Sequence, residues 1–150
     1  MNTIMEPRIS IITLGVKDMR RSILFYRDGL GFETNAGDDA GWAIFKTSGT
    51  RFCLYPFKKL AEDINRDFNP PIPMFSGITL AHNTRTKNMV DRVLTLAREA
   101  GGNIVKPAQD AFWGGYSGYF TDPDGYYWEV AWSDSWVFDE AGQLLSLIHI

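Results

Sequence analysis

The chain has 150 residues, 45% of them hydrophobic and 22% charged. That is enough for one globular domain with its own core, and too balanced for a disordered or fibrous chain. The net charge of -3, from 15 Lys and Arg against 18 Asp and Glu, speaks against nucleic acid as the main partner, because phosphate contacts need clustered cations. Arg20-Arg21 and Lys58-Lys59 are only pairs and read as solvated surface. One cysteine, Cys53, excludes an internal disulfide and suits a reducing compartment. No apolar run approaches the ~20 residues of a membrane-spanning helix, and the opening MNTIMEPR lacks a signal-peptide core. The expectation is a cytoplasmic protein with no membrane partner.

In chain order, Ile9 to Val16 is a β-branched run that predicts a buried strand. Asp18 stands where a helix N-cap belongs, and Met19, Ile23, Tyr26 and Leu30 follow as one apolar helical stripe. Gly29 and Gly31 end that helix. Three strands are expected between Phe32 and Phe57, separated by turns at Gly37-Asp38-Asp39 and Ser48-Gly49-Thr50. This makes a first β-α-β-β-β module, about residues 8–57. Residues 58–75, with the proline-rich Asn69 to Pro73, read as a connector with a helical turn at Leu60 to Ile64.

The second module, about 76–138, repeats the order. Gly77 to Ala81 is a strand, and Thr84 or Thr86 caps a helix whose stripe is Val90, Val93, Leu94, Ala97 and Ala100. Gly101-Gly102 stops it, Ile104-Val105 opens a strand, and Tyr116–Phe120 with Tyr126–Trp132 form a hairpin around Asp122-Pro123-Asp124-Gly125. Matching Gly31 with Gly101 and Gly49 with Gly125 puts Cys53 in register with Glu129. The apolar end, LLSLIHI, leaves open a terminal strand, a partner contact or a foreign remnant.

The segment VKDMRRSILFYRDGLGF, the doubled module and the close TDPDGYYWEV resemble the vicinal oxygen chelate superfamily, which includes glyoxalase I, bleomycin-resistance proteins and extradiol dioxygenases. The resemblance implies an α+β fold in which two modules form an open, barrel-like mixed sheet around a cavity. It also implies frequent homodimers. Metal-dependent members hold a divalent ion at four positions, one on the first and one on the last strand of each module. Carried over, these are Ile11, Cys53, Gly77 and Glu129; a one-residue slip gives Ile12, Leu54 and Ser76 for the first three. Isoleucine and glycine offer no donor, and one thiolate with one carboxylate falls short of the usual three or four ligands. His82 and His149 lie elsewhere, His82 reading as a surface or capping residue. No metal ligands and no cofactor are therefore expected, with a divalent metal left open.

Glu129 is the catalytic candidate, as a general acid or base, or an anchor for a cationic ligand. Its ordinary alternative is pairing with Arg8 or Arg51. Aromatics make up 14% of the chain, a surplus for stacking walls. The expected substrate-binding residues are Trp42, Cys53, Tyr55, Trp113, Tyr116 and Tyr127, with Phe112-Trp113-Gly114-Gly115-Tyr116 as a rim. Cys53 reads more readily as an inert buried thiol than as a nucleophile. Three readings compete, one of them a structural or interaction module whose cavity is filled by its own side chains. A second is metal-independent binding of a small, partly aromatic or cationic molecule between the modules. The third is a glyoxalase-like lyase or isomerase working through Glu129.

Overall fold

A computed structural model of the chain describes residues 5–72 and 74–146. It contains a three-stranded sheet, a four-stranded sheet and a small C-terminal hairpin. In the first module, strand β1 (Ile11–Val16) leads to helix α1 (Met19–Ile23), which continues as a π-helical stretch, Leu24–Gly29. Strands β2 (Ala43–Phe45) and β3 (Arg51–Pro56) complete the sheet in the order β1-β3-β2, with β1 parallel and β2 antiparallel to β3. Helix α2 (Phe57–Ile64) follows directly, three residues ahead of the helical turn expected from the sequence. The second module has β4 (Thr79–Asn83), α3 (Lys87–Glu99), β5 (Asn103–Asp110), β6 (Tyr116–Thr121) and β7 (Tyr127–Trp132), ordered β4-β7-β6-β5. β8 (Val137–Phe138) and β9 (Leu144–Ser146) pair antiparallel. Of the apolar tail, Leu144–Ser146 is thus a strand; residues 147–150, His149 among them, lie outside the described residues, as does Pro73.

The expected strand after Phe32 is reduced to one bridge, Thr34 with Phe45. Thr34 Oγ1 donates to the Ile44 carbonyl and accepts from the Ala36 N–H. Arg27 reaches the Ala36 carbonyl at 3.1 Å and Asp38 at 2.6 Å. The chain is held toward the helix by these side-chain bonds, so it leaves the ladder early.

The Asp18 N-cap forms as expected, its carboxylate accepting from the Arg21 N–H at 3.1 Å. The π-helical turn, with Leu30 N–H on the Phe25 carbonyl, lets neighbouring Phe25 and Tyr26 both turn inward. They meet Phe45, Phe52 and Leu54 from the first sheet and Phe120, Trp128 and Val130 from the second in a single core. Phe52 and Trp128 lie 5.7 Å apart between ring centroids. One face of each sheet is therefore committed to a core that both modules share.

Gly29 allows the two principal helices to approach. A Cβ there would sit 2.4 Å from Ala100 Cβ. Gly29→Ala is expected to cost about 1–3 kcal/mol, measured as a lower urea midpoint, with Ala100→Gly restoring part of it.

Candidate functional site

β7 lies at the centre of the second sheet, between β4 and β6. Its side chains alternate: Trp128 and Val130 enter the core, so Tyr127, Glu129 and Ala131 take the opposite face. Strand pairing places Ala81 on one side of Glu129 and Tyr119 on the other, with Lys106 next to Tyr119. The flanking rows contribute Thr121 beside Tyr127, and Ser117 beside Ala131. Around Glu129 are thus two tyrosines and several small residues; Ala131, Ser117 and Thr121 are buried, and Phe75 packs edge-on against Tyr127 at 5.5 Å.

Glu129 is half-buried. Among the described residues it has no side-chain hydrogen bond and no ion pair. Neither of its expected arginine partners reaches it: Arg8 pairs with Glu6, and Arg51 donates to the Thr47 carbonyl. Burial and the nearby Glu129 charge both push the Tyr119 phenol above its ordinary value of 10.0. It therefore presents an O–H at neutral pH. The sequence reading omitted Tyr119, although the hairpin register around Asp122-Pro123-Asp124-Gly125 fixes it opposite Glu129.

The other expected site residues are dispersed. Cys53 and Tyr55 belong to β3, Cys53 paired with Thr13 and Ile44. Cys53 is fully buried, and loss of hydration raises its thiol pKa, the condition of an unreactive cysteine. Trp42 borders a depression with Thr34, Ile44 and Arg51. Trp113 stacks on Trp136 at 5.7 Å, its ring lying where a side chain on Gly115 would stand. Tyr116 faces α3, donating to Asp91 at 2.8 Å under the Lys87 ammonium. Tyr116 is thus not on the Glu129 face, because it has the strand parity of Phe120 rather than of Tyr119. A cavity does lie at the seam between the modules, but of the expected substrate-binding residues Tyr127 alone lines it.

Among the described residues, the strand corners do not offer the donor set of the metal-dependent relatives. The strand partner of Cys53 is Thr13 and that of Glu129 is Ala81, rather than Ile11 and Gly77. Gly77 precedes β4 with φ 81°. The N-caps Asp18 and Thr86 show the same offset as Thr13 and Ala81, so the first strands of the two halves overlay there. The correction moves the corners without adding a carboxylate or an imidazole. Among the described residues no three His, Cys, Asp or Glu gather as a ligand group. His82, on the edge strand beside Val130, is exposed, as a surface residue should be.

No helix among the described residues is long and apolar enough to cross a membrane. No curated protein matches the chain. A glyoxalase-related enzyme from Fulvimarina pelagi superimposes with TM-score 0.84 at 27% identity, covering 94% of this chain and 99% of that one. A glyoxalase/bleomycin resistance protein/dioxygenase from Nocardioides gives 0.70 at 23%, covering 87% and 85%. A lactoylglutathione lyase from Agrobacterium tumefaciens gives 0.66 at 20%, covering 89% and 99%. These last two share the fold. The family model for the Glyoxalase/Bleomycin resistance protein/Dioxygenase superfamily matches residues 8–130, and with the doubled module and the DPDG-closed hairpin it places this chain in that superfamily.

Proposed function

We propose that the protein binds a small, partly aromatic, positively charged molecule on the Glu129 face, without the superfamily's divalent ion. The supporting observation is the half-buried Glu129 carboxylate, unpaired among the described residues and set beside Tyr119 and Tyr127. A lone carboxylate losing water is stabilised by an incoming cation, and flat aromatic faces add stacking and cation–π attraction. The homodimer that the family resemblance implies would set a second copy beside this face, in a reducing cytoplasm.

Titrating planar cationic, neutral and anionic dyes against the fluorescence of the 5 tryptophans tests the reading. Cationic dyes are expected to bind best, and Glu129→Gln to weaken them about 10- to 100-fold, the worth of one charge-assisted contact. Equal affinity in the variant, or no response to any cationic or aromatic dye, would refute it.

A lyase or isomerase reading draws on the same pair of residues. Glu129 would take a proton from carbon next to a carbonyl while the Tyr119 O–H donates to the oxygen. Deuterium exchange from solvent into small 2-hydroxy ketones, absent in Glu129→Gln, would support it.

A further inference from the structure

On the first sheet, Ala43 and Phe45 of β2 enter the shared core, so Ile44 takes the opposite face, across from Cys53 of β3. The β2–β3 register pairs Phe45 with Phe52, and the next positions along the two strands are Lys46 and Arg51. Two cations therefore stand side by side where the ladder ends, an arrangement that repels. The Lys46 N–H donates to the Glu33 carbonyl at 2.9 Å, yet among the described residues neither Lys46 nor Arg51 has an ion pair, with Glu33 or any other acid. The Arg51 guanidinium gives one Nη1 bond to the Thr47 carbonyl and keeps its other donors. Trp42, Ile44, Lys46 and Arg51 line a depression of about 470 Å³ with Thr34 and Asn35, and no carboxylate borders it. Trp42 is 52% exposed, so an open indole lies beside an uncompensated pair of charges. None of these residues borders the seam between the modules, and none belongs to the Glu129 face.

We infer that this depression is a separate binding site, for a planar aromatic carboxylate whose ring lies on Trp42 over Ile44 and whose head bridges Lys46 and Arg51. An anion between the two cations replaces their mutual repulsion with two attractions, and a guanidinium takes a carboxylate through two parallel N–H bonds. The exposed indole offers a flat apolar surface that a second ring covers, with a stacking preference of its own. At the roughly 30 Å³ that one water occupies in the liquid, the space suits about fifteen non-hydrogen atoms, the size of a bicyclic aryl acid. A planar cation would meet like charge here, the reverse of the preference at Glu129, so the site stands independently of the function proposed above.

Naphthoate and naphthylmethylammonium are the probes, at fixed ionic strength. They are read by calorimetry and by the indole N–H resonances of the 5 tryptophans, the Trp42 resonance being identified by its loss in Trp42→Phe. Naphthoate is expected to bind with a dissociation constant of about 1 mM or tighter and to move the Trp42 resonance, which naphthylmethylammonium should leave in place. Lys46→Glu should weaken naphthoate about tenfold or more, and Trp42→Ala about fivefold or more. Trp42 and Lys46 are exposed, so both variants should keep the native melting profile, and the resonance shift reads the site in the unaltered chain as well. Glu129→Gln should bind naphthoate as the parent does, which separates this site from the Glu129 face. A Trp42 resonance unmoved at about 10 mM naphthoate, or moved equally by naphthylmethylammonium, would overturn the assignment. So would unchanged affinity in Lys46→Glu or Trp42→Ala, or naphthoate binding lost in Glu129→Gln.

Discussion

Asp122→Ala should remove about 3–5 kcal/mol of stability, the largest loss expected of any polar substitution in this chain. Asp122 is 1% exposed. Its carboxylate accepts from the Tyr26 hydroxyl at 2.6 Å and from the N–H groups of Asp124 and Tyr126 at 2.9 Å each. Truncation leaves three donors without their acceptor, and an unsatisfied buried donor costs about 1–3 kcal/mol. The Tyr26 hydroxyl also accepts from Trp128 Nε1 at 3.1 Å, so the carboxylate is the end of a chain running from the helix of one module to the hairpin of the other. A Tyr26→Phe and Asp122→Asn double-mutant cycle in urea should show a coupling of about 1 kcal/mol or more. Additive losses would mean that the two groups act separately.

The same carboxylate gives a pH signature. Burial raises its pKa above the ordinary 3.8, only partly offset by the Tyr26 bond. A raised acid pKa means that the folded state holds its proton to higher pH than the unfolded state does. Stability therefore falls as pH climbs from the ordinary carboxylate range to the raised folded value, and this contribution is flat above it. Tyr26, whose pKa is raised well above 10.0 chiefly by burial, adds a second decline at alkaline pH, where the unfolded chain ionises and the folded one resists. Asp122→Asn should erase the acidic slope and leave the alkaline one.

Which parts of this were legible in the sequence follows from how far each signal reaches. The strand run Ile9 to Val16, the Asp18 cap and the α3 stripe are local patterns, and each became the element its period implied, the strand starting two residues later at Ile11. The turn at Asp122-Pro123-Asp124-Gly125 was legible as a turn, with Gly125 at φ 88° and its N–H on the Asp122 carbonyl. The reach of the Asp122 side chain to Tyr26, 96 positions away, was not, because local composition carries no record of which distant donor a carboxylate meets. The lost strand after Phe32 has a similar cause: Arg27 pulls on Ala36 and Asp38 across nine and eleven positions. At the candidate site, alternation along β7 marked Glu129. The rim read from Phe112-Trp113-Gly114-Gly115-Tyr116 did not tell which way Tyr116 turns, because that depends on strand parity and on packing against α3.

Trp128→Ala is the second large effect, with an expected loss of about 3–5 kcal/mol for an indole deleted from a packed interior. Trp128 stacks on Phe120 at 5.9 Å and meets Phe52 and Phe32 of the other module at 5.7 and 6.2 Å. It also donates to the Tyr26 hydroxyl. Trp128→Phe keeps most of the ring packing and deletes the donor, so its smaller loss separates the hydrogen bond from the volume. Because the indole touches both modules, both variants should unfold in one transition at a lower denaturant midpoint, seen alike by far-UV circular dichroism and by the remaining tryptophans. Two separated transitions would mean that the modules are independent units. Cationic-dye affinity on the Glu129 face should fall in Trp128→Ala under conditions where the protein is still folded. Trp128 and Glu129 are consecutive on one strand, and the core side chain fixes the pleat from which the carboxylate projects. A destabilised but folded Trp128→Ala protein with undiminished dye affinity would show that the site is held by its own sheet face and owes nothing to the shared core beneath it.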